Sequence, residues 1–141
     1  MPSIEDKSLQ RALWAVDAAL DKKALEPVLL DLSEEDSYTD YLLIVSAKSD
    51  RQVRAIAEHV VEVLGEHGLR PLGVEGAREG RWTLVDFGDL VVHVFSHSLR
   101  EFYDLEGLWV DAKHVPLEVP AELRIKPYES YDDDLGYSLA K

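Results

Sequence analysis

Trp82-Thr83-Leu84-Val85-Asp86-Phe87-Gly88-Asp89-Leu90-Val91-Val92-His93-Val94-Phe95 is the stretch whose reading decides the fold. Two β-rich runs flank Gly88-Asp89, and a Gly-X pair between such runs predicts a two-residue hairpin. With that turn, Phe87 pairs with Leu90, Val85 with Val92 and Thr83 with Val94. Strand side chains alternate, so these residues share one face, the natural core. The other face carries Trp82 across from Phe95, Leu84 across from His93 and Asp86 across from Val91. Such a face suits burial under a helix, with Asp86 and His93 hydrogen-bonded diagonally. It equally suits a recognition patch, because a tryptophan ringed by polar groups is a common interface anchor. Periodicity leaves both open.

Working outward, Leu69 to Glu75 contains Pro71 and Gly73, each unfavourable in a central strand, so a short strand at or near an edge is predicted. Upstream, Val53, Ile56, Ala57, Val60 and Leu64 form one helical stripe. Ser49 and Gln52 have capping-box spacing before it, and Gly65 or Gly68 ends it. Tyr41 to Ser46 is apolar enough for a central strand covered on both faces. Val28 to Leu32, after Pro27, predicts another strand. Ser3 to Asp21, with Leu9, Ala12, Leu13, Val16, Ala19 and Leu20 at helical spacing, predicts an amphipathic first helix. Beyond the hairpin, Ser98 to Tyr103 predicts a short helix. Pro116, Pro120 and Pro127 then interrupt regular structure. The expected architecture is α/β, a mixed sheet of about five strands with helices packed on it. The domain is expected to cover residues 1–114, with an extended, acidic, proline-containing tail over 115–141.

The 141 residues, 46% hydrophobic, suffice for one core. Cysteine is absent, which excludes disulfides, thiolate metal sites and a cysteine nucleophile, and suits a reducing cytoplasm. The acidic Glu5 and Asp6 argue against a transit peptide, and no run reaches membrane-spanning length. A net charge of -13 disfavours phosphate backbones and suits a basic protein partner.

Several apparent motifs have plainer explanations. Asp86-Phe87-Gly88 spells a kinase metal-binding triplet, but without the accompanying kinase motifs a hairpin turn accounts for it better. The five histidines show no helical metal-ligand pair beside a glutamate. The acidic runs Glu34 to Asp36 and Asp132 to Asp134 lack the glycine and alternation of a calcium loop. Ser46 and Ser49 sit at a strand-to-helix turn with no glycine-rich cradle for an anion, so capping is the better reading. Arg51 and Arg54 fit a solvated helical face. No cofactor or metal is expected.

Five segments read together: Ser37-Tyr38-Thr39-Asp40-Tyr41, then Ser49-Asp50-Arg51-Gln52-Val53 with Ala55-Ile56-Ala57, then Pro71-Leu72-Gly73-Val74-Glu75-Gly76, then the hairpin, and last Tyr103-Asp104-Leu105-Glu106 with Leu108-Trp109. In this order, over about Leu9 to Ala112, the chain resembles the ribosomal silencing factor family (RsfS or Iojap type). The resemblance implies a nucleotidyltransferase-related fold without the catalytic motif. It implies binding to ribosomal protein fourteen of the large subunit (uL14), where the bound factor blocks small-subunit joining and lowers translation when nutrients are scarce. It further implies a homodimer when free and little direct nucleic-acid contact. The family's contact surface carries over to Trp82, Asp86, Gly88, Asp89, Tyr103 and Leu105. Gly107, where a longer side chain is usual, and the segment beyond Val115 depart from the pattern. The rival reading is a nucleotidyltransferase-type enzyme acting on a nucleotide with magnesium. That chemistry needs a Gly-Ser phosphate turn and paired strand carboxylates, and the strand segments contain no Asp-x-Asp pair.

Overall fold

The computed structural model describes residues 7–35, 37–76, 80–103, 107, 109 and 111–124, with the side chains of 101–103 left aside. In chain order the elements are α1 (Lys7–Asp21), β1 (Leu25–Asp31), β2 (Tyr41–Ala47), α2 (Asp50–Glu66), β3 (Gly73–Glu75), β4 (Trp82–Asp86), β5 (Leu90–Ser96), α3 (His97–Tyr103) and β6 (Lys113–His114). A short 3-10 turn follows at Ala121–Leu123.

The strands form one six-stranded sheet in the order β3-β4-β5-β2-β1-β6. The five-strand expectation falls short by β6, whose two residues pair with Leu30 and Asp31. A dipeptide of two polar residues carries no alternation by which a strand is recognised. The central pair, β2 and β5, is parallel, with Tyr41 opposite Leu90 through Ala47 opposite Ser96; the remaining pairings are antiparallel. All seven β2 residues are buried, as a strand covered on both faces requires.

Side-chain alternation splits the interior into two layers. On one face Leu43, Val45, Val85, Leu90, Val92 and Val94 pack under α1 and α2. On the other, Leu30, Leu42, Ile44, Val91 and Phe95 pack with Leu99 of α3, Trp109 and Ala112. Residues 115–124, just beyond β6, stay on the body: Val115 and Leu117 pack against the first layer, and Leu123 is buried.

β1 starts at Leu25, earlier than the proline suggested. Pro27 is accommodated because the register with β2 shifts between Leu25 and Val28, a bulge at which Glu26 takes a positive φ of 45°. Buried Arg100 of α3 reaches across this bulge, its Nη1 donating to the Glu26 carbonyl at 2.6 Å and to Ser46 Oγ at 3.0 Å.

Ser49 caps α2, its Oγ accepting from the Gln52 N–H at 3.1 Å. The reciprocal bond of the box lands one residue earlier than the usual pattern: Gln52 Oε1 accepts from the Lys48 N–H at 2.7 Å. The same side chain's Nε2 donates to the carbonyls of Lys22 and Lys23 at 3.1 Å each, just past the end of α1. At the other end Gly68, with φ 85°, supplies the left-handed residue, and Leu69 N–H returns to the Leu64 carbonyl. Because Gln52 joins a cap to an interhelical tie, Gln52→Ala is expected to destabilise the fold by about 1–2 kcal/mol. A urea midpoint unchanged from wild type would show the tie to be idle.

Candidate partner-binding face of the hairpin

The register of the hairpin is the one its sequence predicts: Trp82 opposite Phe95, Thr83 opposite Val94, Leu84 opposite His93, Val85 opposite Val92 and Asp86 opposite Val91. Phe87 N–H donates to the Leu90 carbonyl at 2.8 Å, closing the two-residue turn. Gly88 has φ 93°, a left-handed value that glycine adopts without steric cost, and Asp89 is not in the left-handed region. Asp86 Oδ1 accepts from the Gly88 N–H at 2.8 Å and stiffens the turn further.

The neighbouring loop holds the turn in place. Thr39, itself buried, donates its hydroxyl to the Gly88 carbonyl at 3.0 Å, and the Tyr41 N–H donates to the Asp89 carbonyl at 3.0 Å. On the helix side, Asp89 Oδ2 accepts from Ser8 Oγ at 2.7 Å and Arg11 Nη1 at 2.9 Å. The predicted residues are therefore distributed. Trp82 and Asp86 share the face opposite the long helices, Gly88 forms the turn, and Asp89 is engaged by α1. Tyr103 ends α3, and its side chain is among those left aside; Leu105 lies outside the described residues.

That face combines the two expectations for it. Val91, His93 and Phe95 are buried beneath it, while Trp82 keeps 39% of its surface exposed at the rim. The Trp82 indole stacks on Phe95 with centroids 5.4 Å apart and on His93 at 5.8 Å, and His93 stacks on Phe95 at 5.9 Å. The expected diagonal bond between Asp86 and His93 is replaced. Trp82 Nε1 donates to His93 Nδ1 at 3.0 Å, and the Asp86 bond goes to the turn. A diagonal neighbour is within reach of a long aromatic side chain, whereas Asp86 is short and meets a nearer backbone donor.

As acceptor at Nδ1, His93 carries its proton on Nε2, a buried atom with no partner among the described residues. Burial lowers the His93 pKa from 6.5 to about 4, so the ring is neutral at physiological pH. Tyr38 stands beside this face, 62% exposed. Burial first and the Asp86 charge second raise its hydroxyl above the ordinary 10.0, keeping it protonated as a donor.

Among the described residues, the exposed large apolar side chains besides Tyr38 and Trp82 are Leu72 and Val74, at the β3 edge. Leu72 Cδ1 lies against Gly88, so its exposed surface adjoins the turn. Leu72 and Val74 lie in one of the five resembling segments, but nothing in the sequence marked them as exposed, because an isolated apolar residue near an edge reads as core. Among the described residues, no group of three His, Cys, Asp or Glu side chains is placed to hold a metal ion. No described helix is long and apolar enough to cross a membrane.

Residues 5–135 match the family described as "Ribosomal silencing factor during starvation". The chain belongs to the ribosomal silencing factor family. It is 44% identical over 110 residues to the Ribosomal silencing factor RsfS of Halalkalibacterium halodurans, covering 78% of this chain and 92% of that one. Identity to the Bacillus subtilis protein of the same name is 40% over 111 residues, covering 77% and 94%. In three dimensions the chain is similar to a crystal structure of a Chromobacterium violaceum protein, with a TM-score of 0.72 at 34% identity over 86% of this chain and 98% of that one. The mixed sheet with its helices is thus the family's architecture.

The buried neutral histidine gives this family member a pH signature. The unfolded chain takes up a proton at His93 below pH 6.5 and the folded chain only below about 4, so stability falls as pH falls across that window. The total loss from this group is on the order of 3 kcal/mol. Urea unfolding at pH 7.5 and 4.5 is expected to show a loss about 2–3 kcal/mol larger in wild type than in His93→Gln. Equal losses in the two proteins would contradict a buried neutral ring.

Proposed function

We propose that the chain acts in the cytoplasm by occlusion. It binds the large ribosomal subunit through ribosomal protein fourteen (uL14) and so prevents the small subunit from joining, repressing translation under nutrient limitation. Two bodies cannot occupy one surface, so this role needs affinity and bulk and no chemical step. Kinship of the fold with nucleotidyltransferases, without their activity, belongs to the same reading.

The observation that carries it is the Trp82 rim. A large aromatic side chain, partly exposed on a rigid base of His93 and Phe95, is the form an interface anchor takes. Asp86 and the Tyr38 hydroxyl lie beside it as an acceptor and a donor. The net charge of -13 favours encounter with a basic ribosomal protein and opposes direct contact with ribosomal RNA. The relatives' name supports a ribosomal partner. Leu72, Gly88 and the side chains of Tyr103 and Leu105 complete the proposed contact. Asp89 contributes by fixing the turn to α1, since its carboxylate is already paired with Arg11. Free of the ribosome the protein is a homodimer in this reading.

Co-sedimentation with purified bacterial large subunits tests it. Wild type is expected to migrate with the subunit, and Trp82→Ala, folded by circular dichroism, to lose about 2 kcal/mol, or roughly 30-fold in affinity. Undiminished binding by the folded variant would remove Trp82 as the anchor.

A further inference from the structure

Position 93 is an odd place for a histidine. Its neighbours on that face, Val91 and Phe95, are buried apolar residues, and His93 is only 3% exposed. A Leu there would bring no polar atom of its own into the buried layer, whereas His93 leaves Nε2 with no partner among the described residues, an arrangement that lowers stability. What His93 supplies is a single acceptor, Nδ1, aimed at the indole N–H of Trp82.

That bond bears on how Trp82 is presented. Stacking on Phe95 and His93 restricts the tilt of the indole, but a ring contact of this kind does not by itself fix which edge of the indole faces inward. Only one choice of edge points Nε1 at His93. The hydrogen bond therefore selects one side-chain state, turning the N–H inward and the rest of the ring outward. A side chain fixed before docking loses less conformational freedom on binding, about 0.5–1.5 kcal/mol for a residue of this kind.

We infer that His93 is a positioning residue for partner binding, holding the Trp82 indole in its docking orientation at the expense of fold stability. The inference rests on the proposed role of Trp82 as anchor. Its consequence is that stability and affinity are opposed at this position. His93→Leu removes the acceptor and the unsatisfied atom together. It therefore unfolds at an equal or higher urea concentration than wild type at pH 7.5, yet binds large subunits about three- to ten-fold more weakly. His93→Gln, which retains a side-chain acceptor, binds closer to wild type than His93→Leu does.

The experiment has an arm that needs no partner. In ¹⁵N-labelled free protein, with the Trp82 indole resonance assigned by its absence in Trp82→Phe, the wild-type N–H is expected to exchange slowly with solvent and the His93→Leu N–H quickly. Rapid wild-type exchange would overturn the inference. So would His93→Leu binding as tightly as wild type, or His93→Gln binding no better than His93→Leu when both are folded. If His93→Leu does not fold, His93 is needed for stability and the inference fails. Unchanged binding by Trp82→Ala would instead overturn the anchor role, leaving the free-protein result to stand on its own.

Discussion

The parallel ladder between β2 and β5 is the constraint on which the rest of the molecule depends. Its seven pairs lie in the middle of the sheet, and both strands are almost wholly buried. Parallel neighbours cannot be joined by a tight turn, so the chain must leave β2, cross one face and return. The crossover is α2, and the return brings in β3 and β4 before β5. The hairpin is consequently a product of the crossover: β4 reaches the sheet only as the outer neighbour of β5. That placement puts Trp82 near an edge, where one side of its ring remains uncovered while its base is core.

The turn at Gly88-Asp89 is held from both sides of the sheet. Thr39 and the Tyr41 N–H secure its carbonyls, and Ser8 and Arg11 secure the Asp89 carboxylate. An exposed two-residue turn is ordinarily the mobile end of a hairpin, yet here four separate groups tether it. The Ser37 to Tyr41 segment and the hairpin, distant in sequence, are thus parts of one local structure. Asp89 resembles a ready surface charge only when the first helix is left out of account.

Much of this was legible in the sequence because strand alternation and turn chemistry are local. Gly88 dictates the turn, the turn dictates the register, and the register assigns every hairpin side chain to a face. The capping of α2 by Ser49 and its end at Gly68 follow from similarly short-range rules. Contacts distant in sequence were not legible. Nothing near Arg100 announces that it will be buried against the bulge at Glu26, since arginines are usually exposed. The indole bond to His93 depends on reach and ring orientation, which register alone does not decide. Lys113 and His114 form a strand only because β1 offers them an edge. The candidate surface was found through Trp82 and Asp86, while Leu72 and Val74 were hidden because their exposure depends on where the sheet stops.

Where the sheet stops has a consequence of its own. Its two borders are strands of three residues, Gly73–Glu75, and two residues, Lys113–His114. Unpaired strand edges invite other chains to add on, and the hazard grows with length and flatness. Borders this short, one ending in a glutamate and the other formed by a lysine and a histidine, offer too few backbone groups in a row to template such growth. The sheet beneath the exposed Trp82 and Leu72 side chains thus ends in short borders, which limits how far edge-to-edge pairing could propagate from them.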